Sequence, residues 1–531
     1  YSSGQIERNL TLINENLLTY RHTFVEKHTL DFLLGLSVQE DERNSIGTWG
    51  KDSPSDLIHY ISWFGNVYNV DENRALKDGT TGREVSTSVG VFGRLNYNYL
   101  ERYFLSVTLR RDASSKFGEN VRWGTFPSYA VAWTFSEEPF MDWSRGVLDH
   151  GKLRVSYGKS GKQFDQPYIA QGSFSPGDPY LGNPTIHPDL SRGLSNKYLT
   201  WEETGQYDFG LDLDFRDHRF GVVLDYYYRY TDKLLYPVML PGNYSAFNRQ
   251  WRNAYAISNE GIELEVKWNA IRNEKLNWNI SFNIARNWNR LEKSENKRDF
   301  LTEDNTTNLN IIGKALNGLY VLKTGGIYND DKEVPRMFIN GKDTPLAGNG
   351  NTQHYRAGDR VVYDVNGDGV VNSDDRVYAG APAPVAQGGI ITTLEWKGFD
   401  LNVLFNFVIS RHILNAARGA SVGTIIGLTP DDSVTPVYVD LNNVSFWQKP
   451  GDKTDFPMNR LEGGLGSFNS YTTANVENVS YLKLKTFSIG YTLPDRWKKK
   501  VGFGVRVFVS GENLFTITNY SGADPESVNI M

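Results

Sequence analysis

Apolar and polar residues alternate at every second position over stretches of about ten residues, and the pattern recurs from one end of the chain to the other. In QYDFGLDLDFR, Tyr207, Phe209, Leu211, Leu213 and Phe215 fall on one face, and Asp208, Gly210, Asp212, Asp214 and Arg216 on the other. RFGVVLDYYYRY follows after a short RDH, which predicts a hairpin. GIELEVKW sets Ile262, Leu264, Val266 and Trp268 against Glu263, Glu265 and Lys267, and FDLNVLFNFVI carries Phe399, Leu401, Val403, Phe405, Phe407 and Ile409 on its apolar face. About fourteen such segments are read, near 8–20, 27–38, 86–99, 102–112, 125–135, 151–158, 204–216, 219–230, 258–269, 276–288, 387–396, 398–409, 478–492 and 503–512.

A length of about ten residues suits a tilted strand that crosses a bilayer, whereas strands of soluble domains are nearer five or six. Tight turns, as in YNYLERY (97–103) and FRDHRF (215–220), alternate with long polar stretches near 41–84, 159–203, 231–257, 289–386 and 410–477. Aromatic clusters such as YNYLERYF, YYYRY and ISWFGNVY stand at segment ends, where amphipathic rings suit a membrane interface. The expectation is an all-β chain forming a transmembrane antiparallel β-barrel with long extracellular loops.

Composition narrows this picture. The 531 residues include 30 Tyr, 28 Phe and 13 Trp, yet mean hydropathy is −0.47, which fits sheets with one greasy and one wet face. With no cysteine, disulfides and thiolate chemistry are excluded. A net charge of −6 gives no general attraction to nucleic acid, and the run RWKKK (496–500) reads as a solvated turn or membrane-rim anchor. No apolar run approaches the ~20 residues of a membrane helix.

Enzyme signatures are not found: there is no G-x-S-x-G, H-E-x-x-H, phosphate loop or dinucleotide fingerprint, and the eight histidines are scattered. The chain is not expected to be an enzyme. One motif does point to a ligand. In YDVNGDGVVNSDDR, Asp364, Asn366, Asp368 and Asp375 occupy positions 1, 3, 5 and 12 of a calcium-type loop, with Gly369 at 6, the Val370 carbonyl at 7 and Asn372 at 9. β-Branched residues and prolines flank it instead of helices, so a structural calcium is expected and a sensor is not. Asp375 in place of the usual glutamate shortens the reach of the last ligand, and the alternative to a metal is a polar loop closed by Asx turns.

Longer motifs carry a resemblance. HTLDFLLGLSVQED (28–41), FGRLNYNYLERYFLSVTLRRDASSKFG (92–118), WGTFPSYAVAWTFSEEPFM (123–141), YLTWEETGQYDFGLDLDF (198–215), RAGDRVVYDVNGDGVVNSDDR (356–376), SYLKLKTFSIGYTLP (480–494) and VFVSGENLFTITNYSGADPE (507–526) are similar to the SusC/RagA-type TonB-dependent outer-membrane transporters of Bacteroidetes. The resemblance implies a barrel of about 22 strands, closed by an N-terminal plug. It also implies import of oligosaccharides or peptides, energised through the TonB complex, with a SusD-like lipoprotein as lid. On this reading 1–531 is the C-terminal portion of the barrel, the plug, TonB box and first strands precede it, a final strand follows it, and 289–386 is a long extracellular loop region. The rival expectation is a large soluble or surface β-rich carbohydrate-binding or adhesive module stapled by calcium. A second rival, a passive porin, shares the barrel. Aromatic loops such as DLIHYISWFGNVYNV (56–70) suit sugar stacking or interface anchoring alike, so the class of substrate stays open.

Overall fold

The computed structural model describes residues 2–50, 79–241, 246–295, 297, 299–302, 305–339, 341–348, 353–415, 445–454, 456–458, 471–494, 496–497, 499, 502–522 and 524–526. Fourteen long strands dominate it: β1 (Ser2–Phe24), β2 (His28–Gly50), β3 (Gly79–Tyr99), β4 (Tyr103–Ser114), β5 (Trp123–Thr134), β6 (Leu148–Lys162), β7 (Glu202–Phe215), β8 (Phe220–Met239), β9 (Arg249–Arg272), β10 (Leu276–Lys293), β11 (Ala386–Trp396), β12 (Phe399–Leu414), β13 (Val476–Thr492) and β14 (Arg506–Thr518). They hydrogen-bond in chain order. Each expected segment is one of these strands, but several run well past it: β2 and β3 pair through Thr48 opposite Gly79, where a polar loop was expected from residue 41 to 84.

The polypeptide falls into two compact units, Tyr1–Arg145 with His150–Leu211 and Tyr227–Ile257, and Gly146–Asp149 with Asp212–Tyr226 and Ser258–Met531. In the first, Leu30, Tyr97, Leu105, Val131 and Val155 face one another across β2 to β6, and the neighbouring rung is Asp31, Asn96, Ser106, Ala130 and Ser156. In the second, Phe282, Ile390, Phe405, Leu484 and Phe515 form one rung across β10 to β14, beside Asn283, Gly389, Asn406, Lys483 and Thr516. A period of two thus keeps one face apolar and the other polar over many strands.

Tight turns join β1 to β2, β3 to β4 and β7 to β8. They use left-handed backbone without glycine, at Val25 and Glu26, at Leu100 and Glu101, and at Arg216, Asp217 and His218. Such turns match the twist of the strands they join, although the side chains gain nothing from the geometry.

Apolar cores are built mainly from the long connections. In the first unit Phe117, Phe126, Phe164, Ile169, Leu199 and Trp201 pack together, with the Trp201 indole N–H donating to the Arg122 carbonyl at 2.8 Å. In the second unit the segment between β10 and β11 builds its own core from Leu322, Tyr328, Val334, Leu346, Tyr355, Val362 and Val371. Trp447, 5% exposed, donates from its indole to the Asn329 side chain at 3.3 Å. The region read as a long loop over 289–386 is therefore a folded insert of short paired strands, among them Gly318–Leu322 with Arg376–Tyr378 and Arg336–Ile339 with Lys342–Pro345.

Candidate functional site: a two-faced wall and its long connections

The apolar rung of the first unit has no covering layer among the described residues, and in the second Phe515 is exposed while Leu484 is buried. Leu105, Val131, Val155 and Phe515 are 39%, 56%, 48% and 46% exposed although each is paired within a strand. On β2 the outward series Leu30, Phe32, Leu34, Leu36 and Val38 ends at Glu40, so the greasy stretch spans eight residue steps, roughly 26 Å along the strand at about 3.3 Å per step. A water-soluble sheet would have to cover such a surface, whereas lipid solvates it.

Aromatic rings crowd the short-turn ends of the strands. Tyr99 stacks near His28 at 4.6 Å and near Tyr103 at 6.1 Å, and Trp133 lies 6.1 Å from Phe140. In the second unit Phe399 contacts Tyr491 at 4.5 Å and Trp396 at 6.2 Å. This is the placement expected of an interfacial belt. The stretch 56–70, with its ISWFGNVY cluster, lies outside the described residues.

The polar face carries a cup of about 530 Å³ toward the short-turn ends of β1 to β7. Ala130 and Ala132 make a shallow floor, and Asp31, Asn98, Arg154 and Asp208 stand around it. Ser156 donates to Asp208 at 3.2 Å, while the side-chain oxygen of Asn98 is buried with no partner among the described residues. Nothing here resembles a catalytic constellation; the cup is a polar recess on a wall.

The calcium-type loop lies in the folded insert of the second unit. Its backbone is already curled, with Gly367 and Gly369 in the left-handed region at φ 77° and 82°. Asp364 accepts from the N–H of Gly367 and of Gly369, each at 2.7 Å. Asn366 accepts from Asp368 N at 2.9 Å, and Asp368 from Val370 N at 2.8 Å. Asp375 is fully buried and closes the ring, one oxygen accepting from Val365 and Asn366 and the other from Asn372 at 2.8 Å. Asn372 caps the turn Ser373–Asp375. The structure brings the six sequence-derived positions into one loop, and all their donors are hard oxygens, which fits calcium. Among the described residues, however, no three His, Asp or Glu side chains converge as a metal-binding group. Asx hydrogen bonds hold the loop instead.

Three features were missed in the sequence. The insert's core draws on residues spread from Leu322 to Val371, too far apart for a local signal. A run from Asn519 to Glu526 folds back along β12 and β13, where Lys483 meets Asp524 and Glu526 at 2.9 and 2.8 Å and Lys485 meets Glu526 at 2.9 Å. Arg411 donates to the Pro525 carbonyl. The alternating lysines of YLKLKTF were a visible hint of charge on the polar face, but not of its partners. The third feature is a second recess beside β2 and β3, described below.

A family model described as TonB dependent receptor-like, beta-barrel, matches residues 2–514. The chain belongs to that family. The TonB-dependent receptor barrel is an outer-membrane fold, which explains why the first unit's apolar rung faces outward without cover. TonB-dependent receptor P3 of Formosa agariphila is 30% identical over 98% of this chain and 49% of its own length. TonB-dependent receptor SusC of Bacteroides thetaiotaomicron is 27% identical over 85% of this chain and 42% of its own. The chain thus spans about half the length of the curated relatives it matches. Among solved structures, one described as the RagAB peptide transporter superposes with a TM-score of 0.79 at 24% identity, covering 99% of this chain and 53% of that one, and so shares the fold. The family accounts for the strands, the two faces and the aromatic belt. In the described residues no helix is long and apolar enough to cross a membrane, as expected where strands do the crossing.

Proposed function

We propose that this receptor barrel is the wall of a TonB-energised importer of oligosaccharides or peptides that works with a SusD-like surface lipoprotein. The observation that carries the reading is the pair of adjacent rungs, one apolar, one polar, repeated across β2 to β6 and β10 to β14 in a chain of the TonB-dependent receptor family, with the first apolar rung exposed. The polar face lines the solute's path. The cup near the short turns is a seat for a plug that fills the barrel, and the long connections form the vestibule that meets the lipoprotein. No residue is assigned covalent chemistry.

Calcium belongs to the same proposal. Asp364, Asn366, Asp368, Asp375, Asn372 and the Val370 carbonyl would hold one ion, whose charge would tie the carboxylates together and stiffen the folded insert. The insert already has an apolar core, so the ion adds to its order and does not create it.

Deleting the gene in its host, and separately the TonB component, tests the proposal. Both strains are expected to lose growth on the imported oligosaccharide or peptide, and the full-length receptor is expected to co-purify with a lipoprotein. Unchanged growth in both strains would overturn it.

A further inference from the structure

At the long-connection ends of β2 and β3 the polar face carries a recess of about 400 Å³. Arg43 stands opposite Glu84 and Ser45 opposite Gly82, and the far wall comes from the connection between β6 and β7. There Arg192 reaches Glu84 at 2.9 Å and Asp189 at 3.6 Å, which ties that connection to β3. Arg43 pairs with Glu7 at 2.8 Å. Tyr168 is held at φ 67°, a conformation that costs a bulky side chain, and its hydroxyl accepts from Val85 N at 2.9 Å. Phe174, 68% exposed, completes the wall.

The chemistry of these groups selects a ligand class. Each guanidinium carries five N–H donors, and the pairs named here use only some of them. Each is also matched by a carboxylate with spare lone pairs, so the recess offers donors and acceptors together without an unpaired cation. A lone carboxylate or sulfate gains little from such a compensated array. An extended peptide would add to a strand edge; β2 lies between β1 and β3, and β3 between β2 and β4, so the wall offers none, and the open edge at the recess is that of the short strand Phe174–Tyr180 in its two-stranded sheet, which the peptide titration probes. A sugar ring suits both features. Its vicinal hydroxyls donate and accept at once, and its C–H face lies against an exposed aromatic ring such as Phe174.

We infer that the recess formed by Arg43, Glu84, Arg192, Asp189, Tyr168 and Phe174 is a saccharide subsite that takes a neutral, polyhydroxylated ring. This rests on the importer reading and narrows its substrate class. The full-length receptor in detergent is titrated by calorimetry with neutral gluco-, manno-, galacto- and xylo-oligosaccharides, with uronate and sulfated oligosaccharides, and with short peptides. At least one neutral series is expected to bind. Phe174→Ala is expected to weaken that binding about tenfold, Phe174→Tyr to retain it, and Arg192→Met to weaken it with the heat-modifiable gel mobility of the barrel unchanged. Binding confined to the charged sugars or to peptides, or neutral-sugar binding indifferent to Phe174→Ala and Arg192→Met, overturns the subsite. In either case growth that still depends on the receptor and on TonB leaves the importer reading intact.

Discussion

The ammonium of Lys483, buried in the polar face of β13, donates to Glu526 at 2.8 Å, forty-three residues further along the chain. Asp524 shares the same ammonium at 2.9 Å, and Ser521 is held by Glu477, whose carboxylate accepts from the Ser521 N–H at 2.9 Å. The segment from Asn519 to Glu526 is thereby strapped to β13. Lys483 holds both carboxyls below their ordinary range, for Asp524 with help from the Glu526 backbone N–H and for Glu526 from Lys485. A depressed carboxyl strengthens the folded arrangement above its unfolded pKa, and that contribution fades as pH falls through the folded value. The protection of the 519–526 amides, taken relative to the intrinsic exchange rate at each pH, is therefore expected to be steady at neutral pH and to fall below about pH 4. Glu526→Gln combined with Asp524→Asn should give the reduced protection already at neutral pH, and equal protection in wild type and variant would remove the ion pairs from the account.

Leu34 points away from the polar face near the middle of the outward series on β2 and is 44% exposed. Leu34→Arg is expected to destabilise the lipid-reconstituted receptor by about 2–4 kcal/mol, and Thr108→Arg, on the polar face of β4, by much less. Urea unfolding in lipid vesicles measures both. Equal costs would mean that β2 does not face lipid at this level.

Asp368 and Asp375 separate the two roles of the calcium-type loop. Asp375 is buried and closes the loop through three backbone N–H groups, so Asp375→Ala should loosen the insert even in a chelator. Asp368 sits on the exposed side, and Asp368→Asn should leave chelated stability unchanged while abolishing the gain from added calcium. With aspartate as the last ligand, affinity in the range of about 10⁻⁴–10⁻³ M is expected. A saturating excess of 100-fold over Kd would then add about 2.7 kcal/mol. A melting temperature of the insert that ignores calcium in the wild type would remove the ion from the proposal.

Tyr328, 3% exposed, has a hydroxyl with no hydrogen-bond partner among the described residues, and burial, with Tyr363 and Asp359 nearby, pushes its pKa up to about 12. Taking away a buried hydroxyl that bonds to nothing is nearly free or favourable. Tyr328→Phe is expected to keep or raise stability, by up to about 1 kcal/mol, and to remove one late-titrating phenol from the ultraviolet titration. Tyr328→Ala, which opens the core beside Val334, should instead cost about 3–5 kcal/mol.

The strands and their faces were legible because a period of two is a local property: Leu105 and Ser106 declare their faces within a few residues of sequence. Strand ends were less legible. β2 continues past Val38 with Glu40, Glu42 and Asn44 facing outward, so its pairing outlasts its hydrophobic signal. The tight turns gave no glycine signal at Val25 or Leu100, where strand pairing overrides the local preference. The calcium-type loop was found by spacing alone. The saccharide recess was not, because Glu7, Arg43, Glu84 and Arg192 meet only once β1 to β3 and a distant connection are in place.

The strand order has a consequence for biogenesis. Because each of the fourteen strands bonds only to its sequence neighbours, the sheet can grow by accretion, one hairpin added to the last, with no strand threaded between two that are already joined. The longest join is β10 to β11, across more than ninety intervening residues. Loop-closure entropy rises only logarithmically with length, and an insert that folds on its own core brings those two ends within reach before the wall is sealed. Mutations that melt the insert are thus expected to surface first as failures of membrane assembly, in receptors that would have worked had they been built.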